Sequence, residues 1–122
     1  MIEFFTYNYL IVAIGTAVLL LFLILICHKK TIKIYYEDVH KVKIKSQVNR
    51  QGVKNGKEKI YYRNGRLNKK AYWKNGLRHG PFTVYWPTRK PYIQGAYKDG
   101  ILTGEYIVFG KDGKTIIYKE TY

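Results

Sequence analysis

The sequence predicts an N-terminal transmembrane α-helix followed by an all-β domain, in which stacked antiparallel β-hairpins form a meander. Two observations lead to this fold class. Residues 10–27 form an uncharged apolar run, and residues 52–122 repeat with a period of 24 residues. Turn dipeptides that contain glycine punctuate the repeats. The segments between them are rich in Tyr, Ile, Val, Phe and Thr, which favour strands.

The apolar run has the length and composition expected of a membrane span. Thirteen of the eighteen residues in Leu10–Cys27 are Leu, Ile, Val or Phe, and none is charged. At about 1.5 Å per residue the helix would be roughly 27 Å long, close to the ~30 Å hydrocarbon core of a bilayer. A cleaved signal peptide is disfavoured, because Glu3 is the only charged residue before the run and no small-residue cleavage site follows it. We therefore predict a single-pass membrane protein.

The charge distribution predicts how this protein would be oriented. All 22 Lys and Arg residues follow the apolar run, together with seven of the eight acids. The positive-inside rule then makes residues 1–9 a short extracytoplasmic tail and puts the repeat domain in the cytoplasm. Residues 28–51 are predicted to be a basic juxtamembrane segment with a degenerate repeat, because Lys59–Asn64 echoes Lys33–Asp38 at a spacing of 26 residues.

The 24-residue repeat predicts two strands and two turns in each unit. Dipeptides such as Asn75-Gly76 and Asp99-Gly100 accept positive φ and mark hairpin turns. Arg89 stands where the pattern calls for a glycine, which predicts an irregular middle unit. The glycines predicted to form the turns are Gly52, Gly56, Gly65, Gly76, Gly80, Gly100, Gly104 and Gly113.

The repeat pattern resembles a known family. Residues Tyr97–Gly104, and Trp73–Gly80 with Trp in the Tyr position, are similar to the Tyr-x-x-Gly-x-x-x-Gly pattern of the MORN repeat, especially its bacterial variant. The resemblance covers residues 52–122 and departs from the pattern at Arg89 and Pro91. It implies an elongated, single-layered, MORN-like meander of hairpins. It also implies scaffold, membrane-associated or antitoxin-like roles rather than catalysis.

The residues that carry enzyme chemistry are too few and too scattered for an active site. The chain has a single serine, Ser46, and a single cysteine, Cys27, which lies in the apolar run. Its three histidines, His28, His40 and His79, have no Cys or carboxylate at metal-ligand spacing. We therefore predict a protein that is not an enzyme and that has no catalytic residues, no metal site and no cofactor.

Positive charge is concentrated near the predicted span. Residues 28–74 carry fifteen Lys and Arg against three acids, whereas residues 75–122 carry seven against four. Lysines beside an anionic leaflet bind lipid headgroups, so the membrane is a predicted partner. The alternatives are that these lysines only set topology and solubility, or that the basic surface binds nucleic acid, which is the less favoured partner. The predicted headgroup-contacting residues are Lys29, Lys30, Lys33, Lys41, Lys43 and Lys45.

Alternating side chains predict an aromatic surface that needs a partner. Tyr61, Tyr85 and Phe109 fall on one face of the predicted sheet and are the predicted partner-binding residues. The partner would be another protein or a second copy, unless a rolled sheet covers its own aromatics. The function hypotheses are a membrane-anchored interaction or scaffold module, an antitoxin or toxin-immunity protein that binds a toxic partner, and a nucleic-acid-binding module.

Overall fold

The computed structural model describes residues 2–26 and 29–122, which form one helix and nine strands. The helix α1 spans Ile2–Ile26. The strands are β1 (Lys30–Tyr35), β2 (Val42–Val48), β3 (Lys54–Tyr61), β4 (Leu67–Lys74), β5 (Leu77–Arg78), β6 (Gly80–Tyr85), β7 (Pro91–Lys98), β8 (Ile101–Phe109) and β9 (Ile116–Thr121).

The strands form one antiparallel sheet with the order β1-β2-β3-β4-β6-β7-β8-β9, and the two-residue strand β5 pairs with β4. Strands that are consecutive along this path also follow each other along the chain, so the sheet is a meander of hairpins. This agrees with the hairpin arrangement predicted from the turn dipeptides.

The prediction of a transmembrane helix over residues 10–27 is wrong. Across residues 2–26 and 29–122, no helix combines the length and the apolar character needed to cross a membrane. The single-pass membrane localisation is corrected with it. So is the cytoplasmic placement of the repeat domain, which depended on the span.

The hairpin turns at one end of the sheet have the form predicted from their sequence. Asn75 and Gly76 have φ of 48° and 83°, and Asp99 and Gly100 have φ of 51° and 84°. Two central residues with positive φ between paired strands define type I′ turns, whose twist matches that of the flanking strands. All eight glycines predicted to form turns have positive φ, between 70° and 120°. Three of them nevertheless lie within strands and not in turns, namely Gly56 in β3, Gly80 at the start of β6 and Gly104 in β8.

The turns at the other end have a different form, which includes the position of Arg89. The Gly65 N–H donates to the Tyr62 carbonyl (2.8 Å), and the Arg89 N–H donates to the Trp86 carbonyl over the same distance. Gly65 has φ of 84° and Arg89 has φ of 71°. The middle unit therefore keeps the turn that its sequence predicted to be irregular, but with an arginine in the left-handed region.

Replacing Arg89 by glycine should stabilise the protein. A non-glycine residue in the left-handed region costs about 1–2 kcal/mol, and the larger unfolded-state entropy of glycine offsets part of that gain. We expect Arg89→Gly to raise the free energy of unfolding by about 0.5–1 kcal/mol, measured by urea denaturation. Gly65→Arg, the reverse change in the equivalent turn, should lower it. Equal stability of both variants and the wild type would contradict this account.

Successive hairpins are joined by a hydrogen bond from an aromatic side chain, which we call the hairpin clasp. Each donor stands at the start of a turn and reaches a backbone carbonyl at the same end of the following hairpin. Tyr62 and Trp86 are separated by the 24-residue period, and Tyr36 precedes Tyr62 by 26 residues. The three clasps are Tyr36 Oη to the Tyr61 carbonyl (2.8 Å), Tyr62 Oη to the Tyr85 carbonyl (2.6 Å) and Trp86 Nε1 to the Gly110 carbonyl (3.0 Å).

Removing a single clasp should destabilise the sheet. Tyr62→Phe deletes the donor and keeps the ring, so the loss is that of one part-buried hydrogen bond, about 1 kcal/mol. Tyr72→Phe is the matched control, because within the described chain the Tyr72 hydroxyl makes no hydrogen bond. Chemical denaturation of both variants measures the difference. A loss from Tyr72→Phe as large as that from Tyr62→Phe would show that the clasp contributes nothing.

The cross-strand register divides the sheet into two faces. The inner face carries the row Ile44, Ile60, Lys69, Val84, Ile93 and Val108, in which each residue lies opposite the next. Residues two positions along each strand lie on the same face. These include every described residue that is buried: Ser46, Val48, Glu58, Ala71 and Phe82. The other face, which we call the outer face, therefore carries side chains that are exposed or half-buried.

Aromatic rings on the inner face pack on one another. The Phe82 ring lies 5.1 Å from the Tyr97 ring and 6.4 Å from the Tyr106 ring, measured between centroids. Gly95 lies opposite Phe82, and a Cβ atom there would come within 2.7 Å of the Phe82 ring. The missing side chain at position 95 thus provides the space for the most buried aromatic residue. The small core of the sheet sits here.

Candidate docking surface

A row of four lysines crosses the outer face. Lys33 lies opposite Lys45 in the β1–β2 pair, and Lys45 lies opposite Lys59 in the β2–β3 pair. Lys59 in turn lies opposite Lys70 in the β3–β4 pair. Residues that lie directly opposite one another share a face, so the four side chains form one line perpendicular to the strands. We call this line the lysine ladder.

The lysine ladder has no compensating acid. Like charges directly opposite each other on a sheet are destabilising, and the ladder contains three such contacts. Lys33 and Lys45 are exposed, while Lys59 and Lys70 are half-buried. Among the described residues, no carboxylate forms an ion pair with any of the four. The described ion pairs lie elsewhere, at Lys54–Glu58, Arg63–Asp38, His79–Asp99 and Lys119–Glu105.

An open groove lies beside the ladder on the outer face, at the end of the strands where the clasps form. One part has a volume of about 450 Å³, and the adjoining part about 360 Å³. Tyr61 and Gly65 line both parts, which makes them continuous. We call this surface the basic groove. It is lined by Lys33, Lys41, Val42, Lys45, Lys59, Tyr61, Gly65, Arg66, Leu67, Tyr85 and Arg89.

Backbone geometry brings these residues together. Each hairpin has an irregularity of register at its turn end, between Ile60 and Tyr61 in β3 and between Val84 and Tyr85 in β6. Tyr61 and Tyr85 follow inner-face residues in their strands and so lie on the outer face. The Arg66 guanidinium donates to the Pro87 carbonyl in the next turn (2.8 Å), which fixes one wall of the groove.

Two of the three predicted partner-binding aromatics line the groove. Tyr61 and Tyr85 do so, but Phe109 does not. Phe109 lies opposite Ile116 in the β8–β9 pair, on the same outer face but beyond the groove. The structure therefore brings two of these side chains together and leaves the third apart.

The six lysines predicted to contact lipid headgroups separate in the same way. Lys33, Lys41 and Lys45 line the groove. Lys30 lies opposite the buried Val48, on the inner face. The remaining pair are Lys29, an exposed residue just before β1, and Lys43, whose Nζ sits 5.5 Å from the centroid of the Tyr36 ring.

Sequence reasoning missed Lys59, Arg66 and Arg89 as members of the basic groove, and it missed Lys59 and Lys70 as members of the lysine ladder. The intervals between successive ladder lysines are 12, 14 and 11 residues, which match no repeat period. Arg89 was read only as a defect in a turn. To identify this surface from the sequence, one must know which residues lie opposite each other in neighbouring strands. The turn dipeptides alone do not determine that register exactly.

A buried carboxylate on the inner face was also missed. Glu58 is 5% exposed and accepts hydrogen bonds from Ser46 Oγ (2.8 Å), Trp73 Nε1 (3.1 Å) and Lys54 Nζ. Burial acts to raise the pKa of Glu58, but these hydrogen bonds and the charge of Lys54 outweigh it and hold the pKa below its usual 4.5. Its alternation with Ile60 along β3 was the available signal that it faces inward.

Glu58 should make the stability of the protein depend on pH. Its folded pKa lies below its unfolded value, so its contribution is present above about pH 4.5 and is lost as the pH falls through the folded pKa. Glu58→Gln should remove that acid dependence and lower the free energy of unfolding at pH 7 by about 1–3 kcal/mol. Glu105→Gln, at an exposed ion pair, is the control and should cost less than about 1 kcal/mol. Urea unfolding between pH 3 and pH 7 tests both variants, and an unchanged pH dependence in Glu58→Gln would refute this role.

The lining of the basic groove is suited to binding. Its ammonium and guanidinium groups bind anions, and its rings and aliphatic side chains offer apolar contact. Within residues 2–26 and 29–122, no group of three or more His, Cys, Asp and Glu is placed to hold a metal ion.

Comparisons with protein-family models and with curated proteins find no match for the chain. The resemblance to the MORN repeat therefore stays a prediction.

Proposed function

We propose that this chain is a non-catalytic protein-binding module that docks a partner polypeptide in the basic groove of its outer face. The observation that carries this proposal is the convergence of cations and aromatic rings in one continuous groove. Its residues come from three successive hairpins and their turns. The groove combines two arginines and two tyrosines, residue types that are enriched at protein interfaces, with four lysines that add positive charge.

The rigidity of the frame supports docking. The hydroxyls of Tyr36 and Tyr62 donate their clasp hydrogen bonds to the carbonyls of Tyr61 and Tyr85, and the side chains of Tyr61 and Tyr85 line the groove. The rings are therefore held at fixed positions before any ligand arrives. A surface that is preorganised in this way loses less conformational entropy on binding.

The chemistry of the lining supports binding over catalysis. Among the described residues that line the groove, none is Ser, Cys, His, Asp or Glu. General acid–base or nucleophilic catalysis near neutral pH would then require a lysine or tyrosine with a strongly shifted pKa. The scaffold hypothesis and the antitoxin hypothesis both require the docking activity proposed here.

Photocrosslinking in cells tests this function directly. A photoreactive amino acid at position 89 lies in the groove, and the same amino acid at position 111 lies in the turn of the next hairpin, outside the groove. We expect a discrete adduct from position 89 that protease destroys and nuclease does not, and no such adduct from position 111. Absence of an adduct at position 89, equal adducts at both positions, or a nuclease-sensitive adduct would refute protein docking in the groove.

Variants of the aromatic residues sharpen this test. Tyr61→Ser with Tyr85→Ser should reduce the yield of the position-89 adduct by at least tenfold, because both groove walls lose their rings. Phe109→Ser is the matched control, since Phe109 shares the outer face but lies beyond the groove. Circular dichroism checks that each variant keeps its sheet. Equal loss of adduct in both variants would place the docking surface elsewhere.

A further inference from the structure

We infer that the lysine ladder binds a helix of the partner that presents acidic side chains on one face. This inference rests on the proposed docking function and narrows its ligand. The register of four neighbouring strands fixes the ladder, because it places one lysine of each strand in a single line. These lysines are Lys33, Lys45, Lys59 and Lys70. Beyond Lys70 the line continues through uncharged Thr83, Gln94 and Ile107. It then reaches Lys119, which pairs with Glu105, so the continuous run of lysines without acid partners has a defined length.

Charge selects an anionic ligand. The chain keeps three directly opposed lysine pairs on this face, although such pairs are destabilising in the free protein. Four described carboxylates form ion pairs at other places, and one of these, Glu58, is buried on the inner face. A ligand that carries about four carboxylates along a line would relieve the repulsion and gain four ion pairs. The free protein supplies no such groups at the ladder.

Spacing selects a helix over an extended segment. Neighbouring strands are about 4.8 Å apart, so four lysines span roughly 14 Å. Side chains on one face of an α-helix recur about every 5.4 Å, whereas those on one face of a strand recur about every 6.7 Å. Over three intervals the helix drifts from the ladder by about 2 Å and the strand by about 6 Å. A flexible lysine side chain can adjust to the mismatch with a helix more easily than to the larger mismatch with a strand.

The rings near the ladder argue against single-stranded nucleic acid as the ligand. Binding of that kind combines a basic surface with aromatic faces on which bases stack. Here the Tyr72 ring is already covered by Lys70, whose Nζ lies 5.8 Å from the ring centroid. Tyr61 and Tyr85 are half-buried as groove walls. The groove instead offers apolar contact to side chains that flank the acidic face of a helix.

The test uses fluorescence anisotropy with the full chain and three labelled peptides. The first is an alanine-based helical peptide with one glutamate per turn on one face, and the second replaces each glutamate by glutamine. The third has the same composition as the first, with glutamates at every second position. An oligothymidylate serves as the rival ligand. Two double variants with the same charge change are compared, Lys45→Glu with Lys59→Glu in the ladder and Lys98→Glu with Lys111→Glu outside it.

We expect the wild type to bind the helical glutamate peptide more tightly than the other two peptides. The ladder variant should bind it at least tenfold more weakly, whereas the control variant should stay within about threefold of the wild type. If the ladder variant fails to fold, Lys45→Gln with Lys59→Gln replaces it, with the same direction expected. Equal losses in both double variants, a preference for the alternating peptide, or ladder-dependent binding of the oligothymidylate in place of the helix would overturn the inference.

The two proposals fail in different ways. A protease-sensitive adduct from position 89, together with ladder variants that bind the helical peptide as the wild type does, would overturn the acidic helix and leave docking in place. If the helical peptide binds through the ladder but position 89 gives no adduct in cells, the proposed function is overturned. The inference that the ladder binds acidic helices would then still hold.

Discussion

The hairpin clasp is the interaction on which the rest of this sheet depends. A single layer buries little, and among the described residues only Val48, Ala71 and Phe82 form an apolar core. Each clasp joins the turn end of one hairpin to a carbonyl of the next, and so it fixes the register between units. Register matters more than usual here, because a slip of one residue would exchange the two faces of a strand. The series of donors ends where the repeat column reaches Gly110, which accepts the last clasp and has no side chain to offer another.

Once register is fixed, the two faces acquire different chemistry from the same basic strands. On the inner face, Lys54 pairs with Glu58 and lies 4.5 Å from the centroid of the Trp73 ring. Lys69 lies over the Phe82 ring, 5.7 Å from its centroid. Burial, followed by the charge of Arg78, lowers the pKa of Lys69. Lys54 thus has an acid partner, and both inner lysines lie over aromatic rings. Among the described residues, the ladder lysines on the outer face have no acid partner, and this contrast underlies the proposal that the outer face binds an anionic ligand.

The hairpins could be predicted from the sequence, whereas the basic groove could not. Dipeptides such as Asn75-Gly76 specify a turn through their own conformational preferences, so the meander and its turn glycines were predictable. The groove depends on which residues lie opposite each other, and the irregularity of register beside Tyr61 shifts that pairing by one residue. No local pattern encodes such a shift. The prediction of a membrane span was wrong, although it rested on the length and the apolar composition of residues 10–27.

The position of Glu58 explains why the basic half of the sheet can fold at all. Its repeat column holds Phe82 and Tyr106 in the later units, where aromatic rings pack on their neighbours. In the most basic unit the same position holds a carboxylate, which neutralises Lys54 and engages Ser46 across the strand pair. An aromatic residue there would leave the inner lysines of β3 and β4 without any nearby acid, on the face opposite an already repulsive ladder. Among the described residues, Glu58 is therefore the one buried carboxylate that offsets positive charge on the inner face, while the ladder lysines on the outer face have no acid partner.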